Sequence, residues 1–178
     1  MDDIEKEIRL QQAMDLYGDY LVQLCYTYVR DWGIAEDAAQ ETFIRYYKKM
    51  EHFREDAALK TYLYRIAVNV CHDYIASWKY QKVRITDFFG KWIASKQTTE
   101  SIVMDRDTSN RLLHAIENLP TKYKDVIVLY HFAELSLLEV SETLNLNVNT
   151  VKTRLKRGRD MLGTTLQEGR ELYARSNS

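Results

Sequence analysis

Between Asn149 and Arg159 the chain reads NTVKTRLKRGR, a stretch with five cations and no carboxylate. The whole protein carries a formal net charge of only -1 at pH 7, so these cations are gathered rather than abundant. Lys offers a compact point charge and Arg a planar fork, and both suit the anionic oxygens of phosphate. At about 100° per residue on a helix, Val151, Leu155, Gly158 and Leu162 share one side. Lys152, Thr153, Lys156 and Arg157 share the opposite side, with Arg154 and Arg159 at its margins. A solvated basic helix face would show the same charge run. The segment before it separates the two readings. Ser136-Leu137-Leu138-Glu139 fits a capping box, in which the serine oxygen accepts an early backbone N–H and the glutamate reaches back. That helix runs to Leu144, Asn145 to Val148 turns, and a last helix starts near Asn149. Short helix, short turn and cationic second helix make a helix-turn-helix, whose second helix enters the major groove of duplex DNA. Lys152, Thr153, Lys156 and Arg157 are expected to face bases, and Arg154 and Arg159 mainly phosphate.

Two further groupings lie in the front half. Asp37, Gln40 and Glu41 form an acidic face opposite Phe43 and Tyr47. Like charges at i, i+4 repel slightly on a helix, so a partner's cations would relieve a small cost; a solubilising face is the plainer alternative. On the helix from Thr61 to Lys79, Tyr62, Arg65, Asn69 and His72 lie opposite the apolar stripe, with Asp73 at the edge. An aromatic, a cation and a bifunctional amide on one face suit an unpaired nucleic-acid strand: the ring stacks, the cation meets phosphate and the amide reads a base edge. A mixed polar surface explains the same residues.

These groups need helices to hold them, and the composition supplies helices. The 178 residues are 46% hydrophobic and 29% charged, with one proline and six glycines, which fits a folded chain and argues against a turn-rich β protein. Helical spacing runs over Ile8–Val29, Ala35–Met50 and Lys60–Lys79, with Leu63, Ile66, Ala67, Val70 and Tyr74 marking the buried stripe of the third. Asp31-Trp32-Gly33 breaks the first helix and His52–Ala58 reads as a loop. From Tyr80 to Met104 the periodicity fades, which predicts a linker of about 25 residues, although Phe88, Phe89 and Trp92 suit docking better than a bare tether. Helices return over Asp107–Asn118 and Lys122–Phe132, with Pro120 restricting Leu119 and suiting the first turn of the second. The expected fold is all-α: two small helical domains joined by a flexible linker, the C-terminal one a helix-turn-helix. Residues 1–60 hold 13 acids against 8 bases, whereas 136–178 hold 7 bases against 5 acids, so the two ends face different partners.

Several classes are set aside. No apolar run approaches the roughly 20 residues of a membrane span, and the acidic start is unlike a signal peptide, so a cytoplasmic protein is expected. Cys25 and Cys71 lack CxxC spacing and read as buried reduced thiols. His52, His72, His114 and His131 are scattered, so no metal is expected. No phosphate-cradling glycine loop or nucleophile elbow occurs; neither an enzyme, a cofactor nor a small-molecule substrate is expected.

The stretch Phe53–Asn69, FREDAALKTYLYRIAVN, closely resembles the -10 recognition segment of bacterial extracytoplasmic-function (ECF) sigma factors, of the sigma-70 family. Glu36–Phe43 resembles that family's polymerase-binding helix, and 119–123, 135–140 and 150–159 resemble its -35-binding domain. The resemblance implies a transcription initiation factor with three parts: residues 1–79 as region 2, 80–106 as linker and 107–178 as region 4. Asp37, Gln40 and Glu41 would dock on the largest-subunit clamp of core RNA polymerase, the flap region would be a further polymerase contact, and the linker would thread toward the RNA exit path. Phe53, Arg54, Lys60, Tyr62, Arg65, Asn69 and His72 would hold the melted -10 strand, one base lying in a pocket of the Phe53–Lys60 loop with Asn69 on its wall. Asn149, Lys152, Thr153, Arg154, Lys156, Arg157 and Arg159 would hold the -35 duplex. An anti-sigma protein, often membrane-bound, is an implied further partner. Tyr62 departs from the family's usual Trp, and Leu59, Lys60 and Asn149 replace more typical small or aromatic residues. The alternative is a stand-alone helix-turn-helix regulator whose front half dimerises or senses a ligand; binding to core polymerase separates the two.

Overall fold

A computed structural model describes residues 2–53, 59–89 and 104–176. Its first helix, α1, spans Asp3–Val29. Asp2 caps it, accepting from the Glu5 N–H at 2.7 Å, and Asp3 and Glu5 suit the positive end of the helix dipole. Arg30 ends α1 in the left-handed region at φ 58°, and the Asp31 side chain then accepts from Ile34 N–H to start α2, Trp32–Lys49. A single corner thus ends one helix and caps the next. After a 3₁₀ turn at Met50–His52, α3 runs from Leu59 to Phe89. Leu21, Leu24 and Cys25 of α1, Ala38, Ala39 and Phe43 of α2, and Leu63, Ala67 and Val70 of α3 are all buried.

The second half holds α4 (Met104–Glu117), α5 (Thr121–Ile127), α6 (Leu137–Leu144) and α7 (Val148–Ser176). Pro120 stands one position before α5 as its cap, where its missing N–H costs nothing. The capping box forms in full: Glu139 N–H donates to Ser136 Oγ at 3.2 Å and Ser136 N–H to Glu139 Oε2 at 2.7 Å. Asn145, left-handed at φ 52°, ends α6.

One expectation is corrected, the type of helix after Ile127. Helical backbone also runs past residue 80 to Phe89 in α3 and is present again from Met104 in α4, outlasting a clear apolar stripe. Residues 90–103, Trp92 among them, lie outside the described residues. The expected helix from Lys122 to Phe132 changes type, with a π-helical turn over Val128–Phe132. The extra residue in that turn moves the following chain around the axis, with Val128 and Leu129 both fully buried, and Glu134 ends it at φ 53°. Such a bulge follows packing rather than propensity.

The halves touch. α6 packs along α3, and α1 meets α4 and the π turn. Tyr64, Val68 and Cys71 of α3 are therefore buried as well as Leu63, Ala67 and Val70 of the predicted stripe, whose Ile66 and Tyr74 are partly buried.

Close packing at Gly158 sets the place of α7. A Cβ there would sit 2.9 Å from Ile127 Cγ1 and 3.5 Å from Tyr123 Cβ, and Ile127 is itself 1% exposed. Gly158→Val is expected to cost about 1–3 kcal/mol through overpacking, read as a lower midpoint in thermal unfolding. Ser136→Ala is expected to cost about 1 kcal/mol at neutral pH. The hydrogen bonds from Ser136 hold the Glu139 carboxyl below its ordinary 4.5. Its contribution is complete above that value and is lost as pH falls through the lower folded value. The stability difference between the parent chain and Glu139→Gln, which removes that carboxylate, should therefore narrow in acid denaturant titrations and persist at pH 7.

Candidate nucleic-acid interface

The buried side of α7 is the predicted one. Val151 is 0% exposed, Leu155 5% and Leu162 8%, and Gly158 is buried between them. Lys152, Thr153, Lys156, Arg157 and Arg159 are exposed on the other sides and Arg154 is half-buried. Asn149, also exposed, lies in the first turn, where its N–H donates to Asn147 Oδ1 at 2.8 Å. The cations are not equivalent. Lys156 pairs with Asp160 at 3.1 Å. Arg159 Nε donates to His131 Nε2 at 3.1 Å, and its guanidinium lies 5.4 Å from the Tyr130 ring centre. Arg159 is thereby held against its own domain, while Lys152 projects from the first turns.

A cleft of about 340 Å³ opens beside α7, lined by Lys122, Tyr123, Asn149, Thr153, Arg154 and Arg157. Its charged lining is wholly cationic. A hydrogen bond from Arg157, and the Lys122 charge, hold the Tyr123 phenol below its ordinary value of 10.0. Lys122 and Tyr123 were not legible as members of this surface, since they reach it across the α5–α7 contact. Gly158, which permits that contact, was the available signal.

On α3, Arg65 and Asn69 are exposed and Tyr62 and Lys60 half-buried. Tyr62 belongs to an aromatic cluster: its ring centre is 4.9 Å from Phe53 and 6.3 Å from Tyr46, and the Arg65 guanidinium lies 5.3 Å from it. The structure brings Phe53, Tyr62, Arg65 and Asn69 to one side. Lys60 instead lies 5.8 Å over the Tyr64 ring. Arg54, and most of the loop expected to form a base pocket, lie outside the described residues. His72, expected on the same face, is half-buried and turns to the second half, with Nε2 2.9 Å from Asp125 Oδ1, while Asp73 beside it stays exposed.

On α2, Asp37 and Gln40 are exposed. Glu41 is half-buried and accepts from Arg45 Nε at 2.8 Å, and Arg45 also reaches Asp73 at 3.0 Å. The expected acidic face is thus partly neutralised from within the chain. The Glu41–Arg45 spacing was readable; the Asp73 contact was not. Among the described residues, no group of His, Cys, Asp and Glu could hold a metal ion, and no helix is long and apolar enough to cross a membrane.

Fold and surface together define a class: an all-helical protein ending in a helix-turn-helix with a basic outer side. Residues 13–79 match Sigma-70 region 2 and residues 109–162 match Sigma-70, region 4. The chain is 38% identical over 163 residues to the ECF RNA polymerase sigma factor SigW of Bacillus subtilis, covering 87% of each. It is 33% identical over 135 residues to RNA polymerase sigma factor SigV of that organism, covering 76% of this chain and 77% of SigV. In fold it is similar to CnrH, solved in complex with the cytosolic domain of CnrY (TM-score 0.68, 21% identity, 91% and 90% of the two chains covered). It is similar too to RpoE of Bartonella quintana, solved with the anti-sigma factor NepR (TM-score 0.65, 20% identity, 88% and 96% covered). The chain belongs to the sigma-70 family and, within it, to the ECF sigma factors.

The cleft electrostatics are checked directly. Arg157→Ala is expected to raise the Tyr123 pKa, followed by the ring ¹³Cζ shift in a pH titration of tyrosine-labelled protein; an unmoved titration would place the guanidinium elsewhere.

Proposed function

We propose that this chain works as a promoter-directing initiation factor through three separate surfaces. The exposed part of α2, Asp37 and Gln40 with Glu41 beside them, docks on the clamp of core RNA polymerase. The Phe53–Tyr62–Arg65–Asn69 side of α3 holds the opened -10 strand, by ring stacking and charge on phosphate. Unstacking a base costs a few kcal/mol, so a surface that returns this for one sequence couples recognition to opening. The first turns of α7 enter the -35 major groove: Asn149, Lys152, Thr153, Lys156 and Arg157 lie toward bases, and Arg154 and Arg159 flank them, with Lys122 and Tyr123 beside the phosphates. In this reading, residues 1–79 and 107–178 act as the two binding modules and 80–106 joins them.

The observation that carries this is the division of α7. An apolar stripe closed by Gly158 against α5 turns a row of cations away from the protein. Those cations raise local affinity for any duplex, and the polar groups among them select a sequence. The work assigned to the chain is binding, with no bond made or broken by it, and it is done in the cytoplasm. An anti-sigma protein, membrane-anchored or soluble, is the further partner proposed; of the two structures of similar fold, one is a complex with the cytosolic domain of CnrY and the other with the anti-sigma factor NepR.

The test is transcription in vitro with purified core polymerase and genomic promoter fragments. Start sites that depend on the added chain are expected; none on any fragment would overturn the reading. Lys152→Ala should then lower -35 affinity in a sequence-dependent way. Lys122→Ala should lower it evenly across sequences and flatten the log–log salt dependence by about 0.9, the loss of one phosphate contact. A sequence-selective loss from Lys122→Ala would move that residue from backbone to base.

A further inference from the structure

Where the two halves meet, the contact centres on one buried carboxylate. Asp125 of α5 is 8% exposed. Its Oδ1 accepts from the Tyr28 hydroxyl at 2.9 Å and lies 2.9 Å from His72 Nε2. Lys124, also buried, donates to the Tyr28 carbonyl at 3.4 Å and sits 5.2 Å from the Tyr28 ring centre. The Tyr28 and His72 rings meet edge to face at 5.8 Å. Burying a carboxylate is costly unless it is hydrogen-bonded, and here the donors come from the other half of the chain.

The closed form meets a limit of reach. A compact chain of 178 residues has a radius of gyration of about 16 Å, hence a diameter of about 40 Å. Elements centred near -10 and -35 stand roughly 25 base pairs apart, or roughly 85 Å along straight duplex. While Asp125 is seated, α3 and α7 cannot both reach their elements. The junction must part in the working complex.

Resting on the functional reading above, we propose that Asp125 stands in for a phosphate of the promoter strand. Its carboxylate occupies an imidazole and a hydroxyl that would otherwise receive a backbone phosphate, and so latches the free chain shut. The chemistry of the two anions is alike: each is an acceptor-only oxygen group that takes hydrogen bonds from the same donors. His72, at the end of the Tyr62–Arg65–Asn69 row, then has two alternative partners. Promoter strand and Asp125 compete for it. The surface released is a binding surface, not only a hinge.

The test uses the full chain with exposed cysteines at Gln12→Cys and Glu142→Cys carrying a donor and an acceptor dye; the native Cys25 and Cys71 are buried. Energy transfer should fall in Asp125→Ala and in Tyr28→Phe, which removes one hydrogen bond and keeps the ring. Affinity for single-stranded -10 oligonucleotide should rise, by about tenfold if the open form is about a tenth of the population. That gain should vanish when His72→Ala is added to Asp125→Ala, because the shared donor is gone. Strand binding by the wild type with transfer unchanged in both variants overturns the latch alone. Opening without any gain in strand affinity overturns the phosphate stand-in. If no chain binds the strand even with core polymerase present, the functional reading fails and this proposal falls with it.

Discussion

α3 is claimed by both halves of the molecule, and much else follows from that double burial. Leu63, Ala67 and Val70 belong to the front three-helix core, while Tyr64, Val68 and Cys71 are also hidden. A helix has a limited circumference, so burying this much of it leaves a narrow open strip. Arg65 and Asn69 occupy that strip, with Tyr62 at its aromatic end. The same burial fixes their side chains' starting geometry, because the backbone beneath them cannot roll. Rigid elements hold a binding group more closely than loops do.

Charge is handled by selective pairing rather than by abundance. Glu41, Arg45 and Asp73 form a short chain of ion pairs across α2 and α3, and Lys156 and Asp160 pair along α7. Exposed pairs of this kind contribute little to stability, from about 0 to 1 kcal/mol. Their consequence is directional: they remove some charges from the pool open to a partner. The buried junction at Asp125 differs, because hydrogen bonds in a water-poor setting are strong and an unmatched group there is costly. Cys25 and Cys71 touch in the same region, and the contact together with burial pushes the Cys71 thiol up. That argues for inert packing thiols rather than reactive ones.

Much of the local structure was legible. Ser136 and Glu139 formed the expected box because a cap is decided by four neighbouring residues. Val151, Leu155, Gly158 and Leu162 lie inward, as their spacing required. The π turn at Val128–Phe132 was not legible, since the same apolar residues satisfy a regular helix equally well. Lys122 and Tyr123 escaped for a different reason: thirty and more residues separate them from Arg154 and Arg157, and only a close helix contact joins them.

His72 marks the boundary between the two kinds of knowledge. Its position on α3 follows from periodicity, and so does its polar neighbourhood with Arg65 and Asn69. Its partner, Asp125, lies 53 residues away on another helix. Sequence determined which faces of each helix are apolar, where caps begin and end them, and where cations collect, because these depend on residues within a few turns of one another. Tertiary structure decided which apolar face meets which, and which polar groups are consumed inside the molecule. Those choices rest on packing between distant segments, and a one-dimensional period records that a side is hidden without recording what hides it.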